Sequence, residues 1–154
     1  MGNKNIIYII RFLIYFFMFY CILKMLEGSI MDLLTIALSK LLNLNFYKNA
    51  IIVGNGIIEI SSPCTCSLEM ALFLGYIFGT PGVPVKYKIS YSVLGLLIIT
   101  ISNILRIILI IHYSNILNYN IVHDVISFII FPIALLLNWL WIYLLKIKKI
   151  IMFK

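Results

Sequence analysis

The densest chemistry in this chain lies in Ser61-Ser62-Pro63-Cys64-Thr65-Cys66-Ser67-Leu68-Glu69-Met70. Ser62 reads as a helix N-cap and Pro63 as the first helical residue, where a missing N–H costs nothing. Cys64 then falls in the first turn of a helix. Unpaired backbone N–H groups and the positive end of the helix dipole favour an anion there. A thiol so placed ionises more readily, and the thiolate is the nucleophile. Two other residues complete a reaction kit. Arg106 is set in a long apolar run, and His123 stands at the head of the next one. A thiolate attacks a carbonyl carbon, while an imidazole moves protons to and from the thiol and the leaving amine. A guanidinium stabilises the thiolate or the oxyanion of the tetrahedral intermediate. The product is a thioester, resolved by water or another nucleophile.

The elements that position these residues belong in a membrane. Of 154 residues, 64% are hydrophobic and 11% are charged, against roughly half and a quarter in soluble domains. The reading is a single all-α integral membrane bundle, because isolated strands cannot satisfy their backbone in lipid. It has about four spans: 6–26, 63–79, 89–113 and 121–145. Arg11 snorkels near the start of the first span, and Lys24, Glu27, Gly28 and Ser29 end it. Residues 30–47 carry Ile30, Leu33, Leu34, Ala37, Leu38, Leu41 and Leu42 at helical spacing, with Asp32 and Lys40 between. They predict an amphipathic helix that lies in the interface or caps the bundle. Residues 51–60 place two β-branched runs around Gly54-Asn55-Gly56, which predicts a small β-hairpin leading to Ser61. Trp139, Trp141 and Tyr143 read as interface anchors. The first apolar run is too long, and lacks the small-residue site, for a cleavable signal peptide.

The net charge of +7 sets topology rather than binding nucleic acid, since most Lys and Arg flank apolar runs. A cytoplasmic N-terminus puts Lys4, Lys86, Lys88, Lys146, Lys148, Lys149 and Lys154 inside, with Lys24, Lys40 and Lys48 outside. Both termini are then cytoplasmic, and the hairpin is extracytoplasmic. Cys64, Arg106 and His123 converge from three helices near the outer face. Ionisable residues inside membrane helices are expensive and usually functional.

Blander readings stand beside each of these. Cys64 could be a buried, inert thiol, Arg106 a structural cation paired with Glu69 or a carbonyl, and His123 a helix cap. His112 is a rival base, but it projects from a nearly opposed face to Arg106. Asn103 lies one turn before Arg106 on the same face and can hydrogen-bond the site. Asp124 could hold the His123 ring or simply favour the first turn of its helix. Cys21 reads as a small buried hydrophobe. Cys64 and Cys66 form a C-x-C, which rarely closes a relaxed disulfide and is half of a metal site at best.

Cys64-Thr65 with Glu69-Met70, then Asn103-Ile104-Leu105-Arg106-Ile107, then His123, resemble the archaeosortase/exosortase family over roughly the last hundred residues. The family signature is a Cys, an Arg in an N-x-x-R pattern, and a third Arg or His near the extracytoplasmic face. Cys66 stands where the family often has Gly. The resemblance implies a membrane cysteine transpeptidase with Cys64, Arg106 and His123 catalytic. Thr65, Glu69, Asn103 and Asp124 support them, and no cofactor or metal is needed. It implies exported protein substrates with C-terminal sorting tails, a membrane lipid or other acceptor, and an archaeal source. The competing readings are a non-catalytic membrane assembly protein and a thiol-redox or metal protein using Cys64 and Cys66.

Overall fold

The computed structural model describes residues 3–54, 56–113 and 130–147. Helix α1 (Asn3–Met25) is followed after Leu26 by α2 (Glu27–Leu42). Three short strands come next: β1 (Phe46–Tyr47), β2 (Ala50–Val53) and β3 (Gly56–Glu59). A 3-10 helix (Ser62–Thr65) leads into α3 (Ser67–Gly79), then α4 (Val85–Tyr113) and α5 (Ile130–Ile147). His123 and Asp124 lie outside the described residues, as does most of the first half of the expected 121–145 span.

Among the described residues two helices are long and apolar enough to cross a bilayer: Ile6–Met25 within α1, and Val85–Tyr113. Along α1, Ile7, Ile10, Ile14 and Phe17 are exposed, a surface that suits lipid rather than water. The 63–79 segment differs from its expectation. Its α-helix begins only at Ser67 and has 13 residues, about 20 Å against the roughly 30 Å of a hydrocarbon core. Thr80-Pro81-Gly82 ends it, with Gly82 at φ +71.

Helix α3 is held against α1 by glycine. A Cβ on Gly75 would lie 2.9 Å from the Phe16 Cα, and one on Gly79 would lie 3.0 Å from the Phe12 Cα. This small-x-x-x-small spacing lets two backbones touch. On the other side of α3, the Phe73 ring fills the space above Gly95 of α4. Phe73, Ile77, Ile99, Leu137, Trp141 and Leu145 form the core between α3, α4 and α5. Trp141 is therefore a core residue and not an interface anchor; its Nε1 donates to Thr80 Oγ1 at 3.2 Å. Trp139 and Tyr143 are exposed and stacked on each other.

The amphipathic helix starts and stops earlier than the 30–47 pattern predicts. Asn43 adopts a left-handed conformation (φ 53) and closes α2, a role Asn tolerates. The strands that follow form an antiparallel sheet in the order β1-β2-β3. Ile51 pairs with Phe46 on one side and Ile58 on the other. The predicted two-stranded ribbon is thus the second half of a three-stranded meander. The left-handed Lys48 (φ 52) sits in the first turn and Gly54 (φ 58) in the second.

Helix α2 caps the bundle. Leu34 and Leu38 pack with Ile51, Ile60, Cys64, Ile107 and Ile111 in a second core. Thr35 and Ser39 are buried beside them because their hydroxyls donate to the Met31 and Ile36 carbonyls. Leu33, Ile36 and Leu41 remain exposed on the other side of the apolar stripe.

Gly75→Val should force the α1 and α3 backbones apart and cost about 2 kcal/mol or more. Thermal unfolding of the detergent-solubilised protein measures this, and Gly28→Val, where a Cβ meets open space, is the matched control.

Candidate active site

The turn that carries Cys64 is not the start of α3. Pro63 has no N–H to give, and the Cys64 N–H donates to the Ser61 carbonyl at 2.8 Å. That is the tighter i to i+3 bond of a 3-10 helix. The turn is closed by Cys66 in a left-handed conformation (φ 52, ψ 29), from which α3 departs. Ser62 does not cap the helix as its sequence position suggests. The flanking residue is Ser61, extended at φ −99 and ψ 173, and it makes no side-chain cap bond. Cys64 is therefore separated from the α3 N-terminus by the break at Cys66, and the dipole of α3 does not act on it from the first turn.

Breaking the helix leaves carbonyls to satisfy, and α4 satisfies them. Asn103 Nδ2 donates to the Cys64 carbonyl at 2.6 Å. Arg106 Nη2 donates to the Pro63 carbonyl at 3.2 Å. The two side chains are one turn apart on one face of α4, and both are buried, at 1% and 5% exposure. Arg106 thus meets the Cys64-bearing backbone rather than forming an ion pair with Glu69, which is half-buried in the first turn of α3. Two polar atoms in this cluster have no partner among the described residues: Arg106 Nε and Asn103 Oδ1. His112 is exposed, edge-on to Tyr113.

The same turn is held from a second direction. Ser62 Oγ donates to Glu27 Oε1 at 2.6 Å, and Lys24 Nζ reaches both Glu27 Oε2 (2.7 Å) and Ser62 Oγ (3.1 Å). Thr65 Oγ1 donates to the Ser62 carbonyl at 2.8 Å and lies 2.7 Å from Ser67 Oγ. Ser61 Oγ sits 3.9 Å from Cys64 Sγ. The hydrogen bond from Lys24, and next that from Ser62, hold the Glu27 carboxyl below its ordinary range.

One curated protein, named probable archaeosortase D from Methanocaldococcus jannaschii, is 86% identical over 154 residues, the whole of both chains. The chain belongs to the archaeosortase family. No family model matches it, and no solved structure does.

In this archaeosortase the two candidate thiols differ. Both are free. Cys66 is 1% exposed, and burial pushes its thiol up to about 12, only partly offset by the Arg106 charge. Its backbone explains the Gly that other archaeosortases often carry there: a left-handed residue is strained unless it lacks a Cβ. The Lys24–Glu27–Ser62 clamp escaped sequence reading. Lys24 and Glu27 have the spacing of a helical pair, but nothing local links Glu27 to Ser62.

Two outcomes follow for this turn. Cys66→Gly should leave stability within about 1 kcal/mol of the parent, since relieved strain offsets lost packing, whereas Cys66→Val should lose about 2–3 kcal/mol; denaturation in detergent distinguishes them. Glu27 has a lowered folded-state pKa, so its contribution is full above the ordinary carboxylate value and fades as pH falls through the folded one. The stability gap between the parent and Glu27→Gln should therefore be widest near neutrality and close in acid below about pH 4.5, as thermal midpoints across a pH series will register.

Proposed function

We propose that this chain is a membrane-embedded cysteine transpeptidase that removes C-terminal sorting tails from exported proteins and passes the new carboxyl end to a membrane lipid or other acceptor. The observation that carries this reading is the grip of Asn103 and Arg106 on the Pro63 and Cys64 carbonyls. It fixes the backbone that carries Cys64 directly beneath the exposed residues Ser61, Ser62 and Pro63. Membership of the archaeosortase family supports the same reaction class.

The Cys64 sulfur attacks the scissile carbonyl carbon. A C–S bond forms, and the carbonyl electron pair moves onto oxygen. Arg106 spends one nitrogen on Pro63 and keeps Nε unpaired. A buried donor with no partner is costly unless a ligand takes it up. The developing oxyanion is the acceptor that fits. Asn103 Oδ1, an unpaired buried acceptor, suits an N–H of the substrate backbone. His123 carries the thiol proton to the leaving amine as the C–N bond breaks, with Asp124 orienting its ring. A thioester of the exported protein remains on Cys64. The acceptor nucleophile then attacks the same carbon, and the thiol is released. Thr65 and Glu69 support the turn and its local charge.

The substrate approaches from the extracytoplasmic side in this reading, along Ser61, Ser62 and Pro63, which are exposed while Cys64 lies just beneath them. Both termini are cytoplasmic. The basic residues Arg11, Lys86, Lys88 and Lys146 belong to the helix ends remote from Cys64, which supports this orientation.

Cys64→Ala should abolish processing of a tail-bearing protein at normal membrane levels of the enzyme. Arg106→Lys keeps the charge but loses the planar fork, and turnover should fall by at least about a hundredfold with the fold intact. Membrane processing assays, with trapping of the covalent adduct on Cys64, decide it. Full activity of Cys64→Ala would remove the nucleophile from the scheme.

A further inference from the structure

A second polar cavity, of about 360 Å³, opens at the end of the bundle remote from Cys64. It is walled by Arg11 and Tyr15 of α1, Phe78 at the end of α3, the Thr80-Pro81-Gly82 turn, and Lys88 in the first turn of α4. Its distance from the thiol follows from α1, which rises about 20 Å between Arg11 and Lys24, and Lys24 is the residue that touches Ser62.

Two cations share this cavity, and no carboxylate among the described residues lines it. Arg11 makes no hydrogen bond or ion pair to any described residue. Lys88 spends one donor on the Phe78 carbonyl at 2.9 Å and keeps two. The hydroxyl of Thr80 is already committed to the Tyr76 carbonyl and to Trp141, so the free polar capacity belongs to Arg11, Lys88 and the Tyr15 hydroxyl. Cations grouped at a membrane edge attract the anions of the headgroup layer.

The charge pattern repeats this at larger scale. Among the described residues every acid lies in the half that carries Cys64: Glu27 and Asp32 on α2, Glu59 on β3, and Glu69 at the start of α3. Arg11, Lys86, Lys88 and Lys146 occupy the opposite end. Pro81 and Gly82 turn the chain there, and α4 begins at Val85, where the apolar stretch Val85–Tyr113 starts. Exposed Ile14 and Ile89 on the two walling helices continue the surface into the hydrocarbon.

We infer that this cavity binds the phosphate of an anionic phospholipid headgroup. Arg11 supplies a forked pair of donors to two phosphate oxygens, and Lys88 a point charge to a third. Basic pockets between spanning helices recognise headgroups by this chemistry. The site is at the opposite end from the nucleophile, so its lipid anchors the bundle and is not the acceptor in the proposed reaction.

The test uses the full chain purified in a neutral detergent and titrated with phosphatidylglycerol, phosphatidylcholine or inorganic phosphate, read by native mass spectrometry and by thermal midpoint. Phosphatidylglycerol should stay bound and raise the midpoint, while phosphatidylcholine does neither. Arg11→Gln/Lys88→Gln should bind phosphatidylglycerol at least about tenfold more weakly, and Lys40→Gln, at the other end, should match the parent. If the double variant fails to fold, Arg11→Lys serves instead, with an intermediate loss expected and parental affinity counting against the site. Equal retention of both lipids, or undiminished binding by the double variant, overturns the inference. An equal midpoint shift with inorganic phosphate alone overturns the lipid as the source of the anion.

Discussion

Backbone carbonyls released by a broken helix must find donors where water is scarce, and this requirement organises the structure. The left-handed Cys66 (φ 52) separates the Ser62–Thr65 turn from α3. The Pro63 and Cys64 carbonyls then have no place in the α3 ladder. Each would cost about 1–3 kcal/mol if buried alone. Asn103 and Arg106 of α4 answer both. Satisfying the backbone and assembling the candidate site thus depend on the same two side chains of α4. A neutral amide could accept the task at Pro63 with far less desolvation than a guanidinium, whose burial costs several kcal/mol. A charge at position 106 therefore carries a desolvation cost that one carbonyl does not offset.

The surrounding elements serve the same turn at longer range. The Gly75 and Gly79 contacts fix the height of α3 against α1. That height sets Lys24, at the far end of α1, beside Ser62. Glu27 follows within a turn and takes the Ser62 hydroxyl. Helix α2 and the sheet then close over the thiol with Leu34, Leu38, Ile51 and Ile60. A change in helix packing near Phe12 and Phe16 would reach the candidate site through these rigid elements and not through any residue that touches it.

What the sequence revealed depended on whether a signal was local. The apolar runs, the amphipathic stripe around Leu34 and Leu38, and the Gly54 turn are repeating or short-range patterns, and they were legible. So was the pairing of Asn103 with Arg106, because three residues on a helix is one face. The break at Cys66 was not, since Ser-Pro opens a 3-10 turn as readily as an α-helix and Cys has no preference for left-handed backbone. Strand β1 was hidden because Phe46–Tyr47 is too short to show alternation. Trp141 looked like an anchor by composition; its burial depends on the facing Thr80 and Tyr91, which no window around it contains. The Gly-x-x-x-Gly of α3 was written plainly in the chain and is a packing signal that sequence alone supports. His123 and Asp124 rest on their sequence positions, outside the described residues.

The turn is gripped in two chemically different ways. Glu27 and Lys24 hold it by side chains, through Ser62, on its exposed edge. Asn103 and Arg106 hold it by backbone, through Pro63 and Cys64, on its buried edge. A single grip would leave a four-residue turn free to pivot about the other edge. Two grips on adjacent residues remove that freedom. The unpaired Arg106 Nε and Asn103 Oδ1 are then held in place by bonds their own side chains already make. Their desolvation is met when the chain folds, so a group that later engages them gains the interaction without the cost of reorganising the site.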